Sequence, residues 1–443
     1  MINHFLYGPL YVIICLIVFC KFLHTFNFLL DTNGSLSSPK CHTPLISPSG
    51  SVSPNCISDL NCFSLSDFYI FTCAFLLFKS RVMTMINESL AGDFILVGFS
   101  DHPQLEKILF AVVLISYLLT LVGNTAIILI SYLDPMLHTP MYYFLTHLSF
   151  VDLCFTTSIA PQLLWNLHGP YKTISPTGCA IQLYVSLALG STECVLLAVM
   201  AFDRYAAVCR PLHYATDMHS RLCQSLVGMA WLSGVGNTLI QGTITLRLPR
   251  CGNRRIYHFI CEVPAMVKLA CVNIHANEVQ LFMASLVLLL LPLTLILISY
   301  GCIAQAVMRI RSAQAWRKAL GTCGSHLLVV TLFYGTITAV YIQPNSSYAH
   351  SQGKFITLLY TIVTPTLNPL IYTLRNKDVK GALRRLVQKD RAQQSEKLWW
   401  GKSIDMAWLR LRFWRKDVPE GLIWRQLHIY AAKPNLQDFL ENP

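Results

Sequence analysis

The sequence is short of charge. Only 13% of its 443 residues are Asp, Glu, Lys or Arg, against roughly 25% in an average soluble domain. Half the usual charge cannot cover the surface of a soluble globule of this length. Glycine and proline stand at ordinary levels, 22 and 21 residues, which excludes collagen-like and low-complexity chains. No CxxC…CxxC pair and no HExxH occurs, so neither common zinc pattern is present and no metal is expected. The sixteen cysteines are too dispersed for a small disulfide scaffold. What the chain has is apolar residues, 54% of the total, gathered in long runs. The remaining class is an integral membrane protein. The net charge of +12 falls between the runs, not on one groove-facing element. It therefore reads as membrane orientation, and no nucleic acid is expected as a partner.

Three zones differ in composition: a mixed leader over 1–84, an alternation of apolar runs and short polar loops over 85–391, and a tail over 392–443. The middle zone holds seven apolar stretches near 107–132, 141–165, 178–205, 222–246, 279–308, 319–342 and 354–374. Each reaches the length of about 20 residues that a bilayer requires of a helix. The third and fourth are expected to be the least uniform, because Glu193 interrupts one and Ser, Gly, Asn and Thr dilute the other. Pro161, Gly190, Pro292, Pro365 and Pro369 lie inside runs, where neighbouring helices satisfy the freed backbone groups.

Charge sets the orientation. Arg204, Arg210 and Arg221 share one loop; Arg309, Arg311, Arg317 and Lys318 share another; the segment after the seventh run adds seven more, Arg375 to Arg391. These belong inside and the segment before the first run outside. The outer second loop runs against this trend with Arg247, Arg250, Arg254, Arg255 and Lys268, but long loops weigh less. The sequon at Asn87 falls outside, as does one at Asn345, and Asn87 is the preferred glycosylation site. Cys179, Cys251, Cys261 and Cys271 fall on the oxidising side. Two disulfides are expected, one tying the outer loop to the third helix and one closing the loop on itself.

Ionisable residues within lipid are costly and mark partners or cavities. Asp152 and Glu193 are the clearest. Two readings fit them: a pair satisfied by helix-to-helix hydrogen bonds, or a hydrated site at which two carboxylates share a proton or recruit a cation. Asp203-Arg204-Tyr205 ends the third run. Its Arg is either one half of a switchable ion pair or an anchor whose head reaches the interface.

Gly123-Asn124 in the first run, Asp203-Arg204-Tyr205 after the third and Asn368-Pro369-Leu370-Ile371-Tyr372 in the seventh resemble the rhodopsin-like G-protein-coupled receptors. More narrowly, LHTPMYYFL at 137–145, MAFDRYAAVCRPLHY at 200–214, Ser299-Tyr300, KALGTCGSHL at 318–327 and PTLNPLIYTLRN at 365–376 resemble vertebrate olfactory receptors of the tetrapod class, over roughly 87–390. The resemblance implies an all-α, seven-transmembrane helix bundle with a short amphipathic helix after the seventh span, about 377–389, lying on the inner leaflet. It implies no catalysis and no cofactor beyond a sodium ion. It pairs Cys179 with Cys261 and Cys251 with Cys271, and places Asp152 and Glu193 near a sodium or proton site. The inner coupling residues become Asp203, Arg204, Tyr205, Tyr300, Asn368 and Tyr372. An odorant pocket is implied at Ser186, Leu187, Gly190 and Ser191 on the third helix, and at Ala284, Ser285 and Leu288 on the fifth. Tyr334, Ile337, Thr338 and Tyr341 join it from the sixth and Leu358 from the seventh. The expected partners are a small volatile odorant, membrane lipid and a stimulatory olfactory-type heterotrimeric G protein that raises cyclic AMP.

The sequence departs from that pattern at Phe202, at KALGTCGSHL, at Thr366 and at Asp217, which puts a negative charge in the second inner loop. Two other classes compete: an ion-conducting or transport protein using Asp152 and Glu193, and a receptor-like product that does not signal. The inverted repeats of many transporters are absent from the sequence. Residues 7–30 are apolar enough for a signal anchor or an added span, without a basic n-region. The leader is expected to have no receptor role, with Met83 or Met85 as the usual kind of start. Trp399, Trp400, Trp408, Trp414 and Trp424 lie among Lys and Arg in the tail, a composition suited to the membrane interface or to an alternative end without function.

Overall fold

The computed structural model describes residues 92–310, 313–341, 351–375, 378–385 and 388. The leader over 1–84, Asn87, Asn345, the side chain of Tyr341 and the tail from 392 lie outside the described residues. The chain divides into two compact units, 1–382 and 383–443. Of the second, only Leu383, Arg384, Arg385 and Gln388 are described, all helical and exposed.

Seven long helices follow one another among the described residues. They are α1 (Pro103–Leu133), α2 (Pro140–His168), α3 (Pro176–Cys209), α4 (Ser220–Arg247), α5, α6 (Ala313–Tyr341) and α7. Helix α5 runs as His275–Ser285, a π-helical stretch Leu286–Leu290, and Leu291–Ile310. Helix α7 is built the same way from Ser351–Leu358, Leu359–Val363 and Thr364–Arg375. The first three begin on a proline in their first turn, where the missing N–H is not needed and the fixed φ suits a helix.

Five of the seven are long and apolar enough to cross a membrane: α1, α3, α5, the part of α6 over Cys323–Val340, and α7 over Gln352–Thr373. The least uniform runs are therefore α2 and α4, not the third and fourth runs as the sequence pattern indicates. A lone Glu193 does not spoil an otherwise apolar run. In α2, by contrast, His147, Ser149, Asp152, Thr156, Thr157 and Asn166 are spread through the helix, all buried.

Helix α3 is the axis of the bundle. It packs against α2, α4, α5 and α6, while α1 lies against α2 and α7. Accordingly 72% of the apolar window of α3 is buried, against 33% for α1 and 22% for α5. The outward faces of α1 and α5 carry exposed Ile108, Val112, Ile115, Val122, Val287, Leu291, Leu297 and Ile298. Apolar surface on this scale belongs against lipid, not water.

The end of the bundle that holds the disulfides is closed by a small sheet that the sequence pattern does not announce. Strand β1 (Phe94–Leu96) lies between β2 (Thr173–Ile174) and β3 (Arg255–Ile256). It pairs antiparallel with β2, Phe94 opposite Ile174, and parallel with β3, Leu96 opposite Ile256. The segment before α1 and the two outer loops are thus one layer. Phe99 fastens it to the bundle, with ring centroids 5.7 Å from Phe259 and 5.4 Å from Phe355 of α7.

Close helix approach depends on glycine at several positions, Gly123 and Gly234 among them. A Cβ on Gly123 would lie 2.8 Å from Cγ of Pro369, and one on Gly234 would lie 2.2 Å from Oγ1 of Thr192 and 2.5 Å from the carbonyl of Ala188. Overpacking of this kind costs about 1–3 kcal/mol. Gly234→Ala is expected to lower the thermal unfolding temperature of the detergent-purified protein. Gly228→Ala, whose Cβ meets nothing within 4 Å, is expected to leave it unchanged. Equal melting of the two variants would show that α3 and α4 do not pack through Gly234.

Candidate functional site

The site begins with a clasp. Gln182 near the start of α3 donates to the carbonyl of Ser158 on α2 at 3.1 Å and accepts from the backbone N–H of Cys261 at 2.9 Å. The Cys179–Cys261 disulfide joins the same two elements, and Cys251–Cys271 closes the outer loop on itself. Arg250 stiffens the loop further: its Nη2 donates to the carbonyl of Thr245 at 3.0 Å and its guanidinium sits over the Phe94 ring. The loop segment Ile260–Val263 is thereby held over the middle of the bundle.

Beneath it lies an open-mouthed cavity enclosing about 750 Å³, solvent at the mouth included. Helix α3 supplies Ser186, Leu187, Gly190 and Ser191; α5 supplies Ala284, Ser285 and Leu288; α6 supplies Phe333 and Ile337. Most of the lining is hydrocarbon. The polar exceptions include Asn237 and Gln241 from α4, where Asn237 Nδ2 donates to Ser191 Oγ at 2.9 Å. The roof adds Glu262, whose Oε2 accepts from Tyr360 of α7 at 2.8 Å. Burial pushes the Glu262 carboxyl up to about 7, partly offset by that Tyr360 hydrogen bond. His258, beside it, is pushed down to about 3 by burial and by Lys354 and Lys268.

Below the cavity the buried polar residues form a chain across helices. Asn124 of α1 donates through Nδ2 to the carbonyls of Thr120 and of Pro365 on α7, both at 3.2 Å. Asn368 of α7 donates through Nδ2 to Oδ1 and Oδ2 of Asp152 at 3.2 and 3.0 Å. Glu193 of α3 is close enough to Asp152 to feel its charge. Neither oxygen of Glu193 has a hydrogen-bond partner among the described residues.

At the opposite end from the disulfides, Asp203 joins Arg204 through an ion pair and accepts from Arg204 Nε at 3.0 Å. Its other oxygen accepts from Tyr214 at 2.7 Å. Burial, with Asp203 alongside, raises the Tyr214 phenol well above its ordinary range, so it stays a donor. Tyr205 packs with Tyr300 against Ile303, Val307 and Cys323, which bridges α3, α5 and α6. Tyr300 Oη lies 2.7 Å from His326 Nδ1. Tyr372 is buried on α7. The unusual Asp217 forms an exposed pair with Arg210 at 3.2 Å.

The family model described as olfactory receptor matches residues 112–390. Human Olfactory receptor 2G3 is 64% identical over 305 residues, 69% of this chain and 99% of its own length. Human Olfactory receptor 2G6 is 59% identical over 315 residues, covering 71% and 100%. Mouse Olfactory receptor 2C1 is 60% identical over 309, covering 70% and 99%. The chain belongs to the olfactory receptor family. It is a rhodopsin-like G-protein-coupled receptor, a multi-pass protein of the plasma membrane and not an enzyme.

In this receptor, eight residues proposed from the sequence for the pocket line this cavity: Ser186, Leu187, Gly190, Ser191, Ala284, Ser285, Leu288 and Ile337. Tyr334, Thr338 and Leu358 lie outside its lining. Tyr334 is buried and donates to the backbone carbonyl of Cys194 at 2.8 Å, which makes it a strut between α6 and α3. Phe155, Asn237, Gln241, Glu262 and Tyr360 are lining residues that the sequence reading leaves out. A polar residue next to the clasp cysteine was the available signal for Glu262.

The two disulfides close loops of different length, with separations of 82 and 20 residues. The chain-entropy relation gives them about 4.5 and about 3.3 kcal/mol. Cys261→Ser also frees the roof of the cavity from α3, whereas Cys271→Ser leaves it clasped. Cys261→Ser is therefore expected to cost more surface receptor, counted by antibody on intact cells, than Cys271→Ser. The reverse order would remove the clasp from its place in the site.

Proposed function

We propose that the receptor binds small volatile odorants in the cavity under the clasped loop, within a bundle of seven membrane spans. Domain 85–391 does this work; 1–84 and 392–443 are extensions without a receptor role, and a short helix after α7 rests on the inner leaflet. The reading is carried by one observation: a largely hydrocarbon cavity, with a few hydroxyl and amide groups, between α3, α4, α5 and α6 of an olfactory receptor chain. Volatile molecules are small and mostly apolar, and such a lining suits them. Odorant binding shifts a pre-existing equilibrium between inactive and active forms. The inner ends of α3, α5 and α6 then part, Arg204 leaves Asp203, and a stimulatory olfactory-type heterotrimeric G protein docks and raises cyclic AMP. Tyr205, Tyr300, Asn368 and Tyr372 belong to the same relay.

The Asp152 and Glu193 pair is our candidate for a sodium or proton site. Asp152 is wholly buried, and the unpartnered oxygens of Glu193 call for a cation or a proton. Asn87 is the proposed glycan acceptor.

Cells carrying antibody-counted surface receptor and the olfactory stimulatory G protein are expected to raise cyclic AMP on part of an odorant panel. Arg204→Ala is expected to lower the maximal response at least tenfold at equal surface density. Asp152→Asn is expected to flatten the dependence of odorant potency on sodium and pH. Surface receptor silent to the whole panel, with Arg204→Ala making no difference, would overturn the signalling role. Unchanged sodium and pH dependence in Asp152→Asn would remove the ion site alone.

A further inference from the structure

Glu262 is the one carboxylate in the lining of the cavity. Its residue is only 4% exposed. Oε2 is occupied by Tyr360, but Oε1 has no hydrogen-bond partner among the described residues. A buried carboxylate oxygen without a donor is costly, and a donor arriving with a ligand removes that cost. Among the described residues no Lys or Arg forms an ion pair with Oε1. His258 Nδ1 approaches Oε1 only to 3.6 Å, and the imidazole is neutral at physiological pH because it is pushed down to about 3. Lys354 of α7 donates to the carbonyl of Gly98 in the outer layer. Lys268, on the same loop as Glu262, feels the charge of Glu278. The other polar groups of the lining are the hydroxyls of Ser186, Ser191, Ser285 and Tyr360, the amides of Asn237 and Gln241, and the Cys194 thiol. None of these is a carboxylate.

We infer that Glu262 is a counter-ion for the ligand, and that the cavity takes small aliphatic amines with the ammonium group at Glu262 Oε1 and the hydrocarbon chain running down among Leu187, Leu288 and Ile337. The inference rests on the odorant-pocket reading and names the class of ligand within it. An ammonium on a carboxylate makes a charge-assisted hydrogen bond, roughly twice as strong as a neutral one. An alcohol of the same chain offers only the neutral bond.

The pair also fixes a pH signature. Alkyl ammonium groups titrate like lysine, near ~10.4, so the ligand stays charged between pH 6 and pH 8. Glu262, pushed up to about 7, is mostly ionised at pH 8 and mostly protonated at pH 6. Amine binding therefore weakens on acidification, by about tenfold across that interval.

The test is binding, not signalling. Full-length detergent-purified receptor is titrated with n-hexylamine and with 1-hexanol at pH 6 and pH 8, and the thermal shift is read. Wild type is expected to bind hexylamine about tenfold more tightly at pH 8, with hexanol nearly independent of pH. Glu262→Gln is expected to lose tenfold or more in hexylamine affinity at pH 8, to lose the pH dependence, and to keep hexanol, which also shows that it is folded. Should that variant not fold, the wild-type pH comparison decides alone. Hexanol binding with hexylamine absent, pH-independent or unaffected in a folded Glu262→Gln overturns the counter-ion and leaves the pocket standing. Folded wild type that binds neither compound, nor a ketone of the same length, overturns both.

Discussion

The governing constraint is that a polar group removed from water must be met by another group of the protein. An apolar exterior on α1 and α5 leaves the interior to most polar side chains of the bundle, while exposed ones such as Thr294 and Thr331 bond a carbonyl of their own helix. Once inside, these side chains must meet one another across helices, and the contacts they make set helix order. Asn124 reaches the carbonyl of Pro365, Thr120 meets Thr366, and Asn368 reaches Asp152, so α1, α7 and α2 are fixed as neighbours. Glycine at 123 lets α1 come close enough to Pro369 for these bonds to form. The rule is not met everywhere: Thr156, Thr238, Thr338, Thr357 and Tyr372 have buried hydroxyls without a hydrogen bond among the described residues, and Glu193 has both carboxylate oxygens in that state.

The outer layer solves a different problem. The loop between α4 and α5 is long and polar, and left free it would close the bundle mouth in no single way. Two disulfides, the Gln182 hydrogen bonds, the Arg250 contacts and β3 in its pairing with β1 reduce it to one arrangement. The roof of the cavity is thus as fixed as its α3 wall. Its lining is set by covalent bonds to α3 on one side and by Tyr360 of α7 on the other.

The helices were legible because apolar runs of that length have few other interpretations. Their starts were not: Pro103, Pro140 and Pro176 open α1, α2 and α3 ahead of the apolar runs, since proline at a first turn extends the helix into polar sequence. The pairing of the outer cysteines came from family resemblance and not from spacing, and the structure has both bonds. The sheet was illegible, because strands of two and three residues carry no alternation to read. Glu262 offered one weak signal, its place next to Cys261. A glutamate in a charged outer loop reads as solvated, and its meeting with Tyr360, 98 residues away in sequence, is a property of the fold. Asp152 and Glu193 were visible at once because ionisable residues inside apolar runs are rare.

The two π-helical stretches of α5 and α7 both lie at the cavity. One, Leu286–Leu290, carries Leu288 and Leu289 of the cavity wall; the other, Leu359–Val363, carries Tyr360. A π turn holds one residue more than an α turn and re-aims the side chains on either side of it. Both therefore fall where the helix has to present a chosen side chain to the cavity, not merely to a neighbouring helix. The wall from α3 is stiff, packed on four neighbours and clasped at its outer end. The wall from α5 has most of its apolar window facing outward. Helix α5 is also the element that carries Tyr300, Ile303 and Val307 to the inner end, against Tyr205 and Cys323. The same helix thus runs from the cavity at one end to the Asp203–Arg204 neighbourhood at the other.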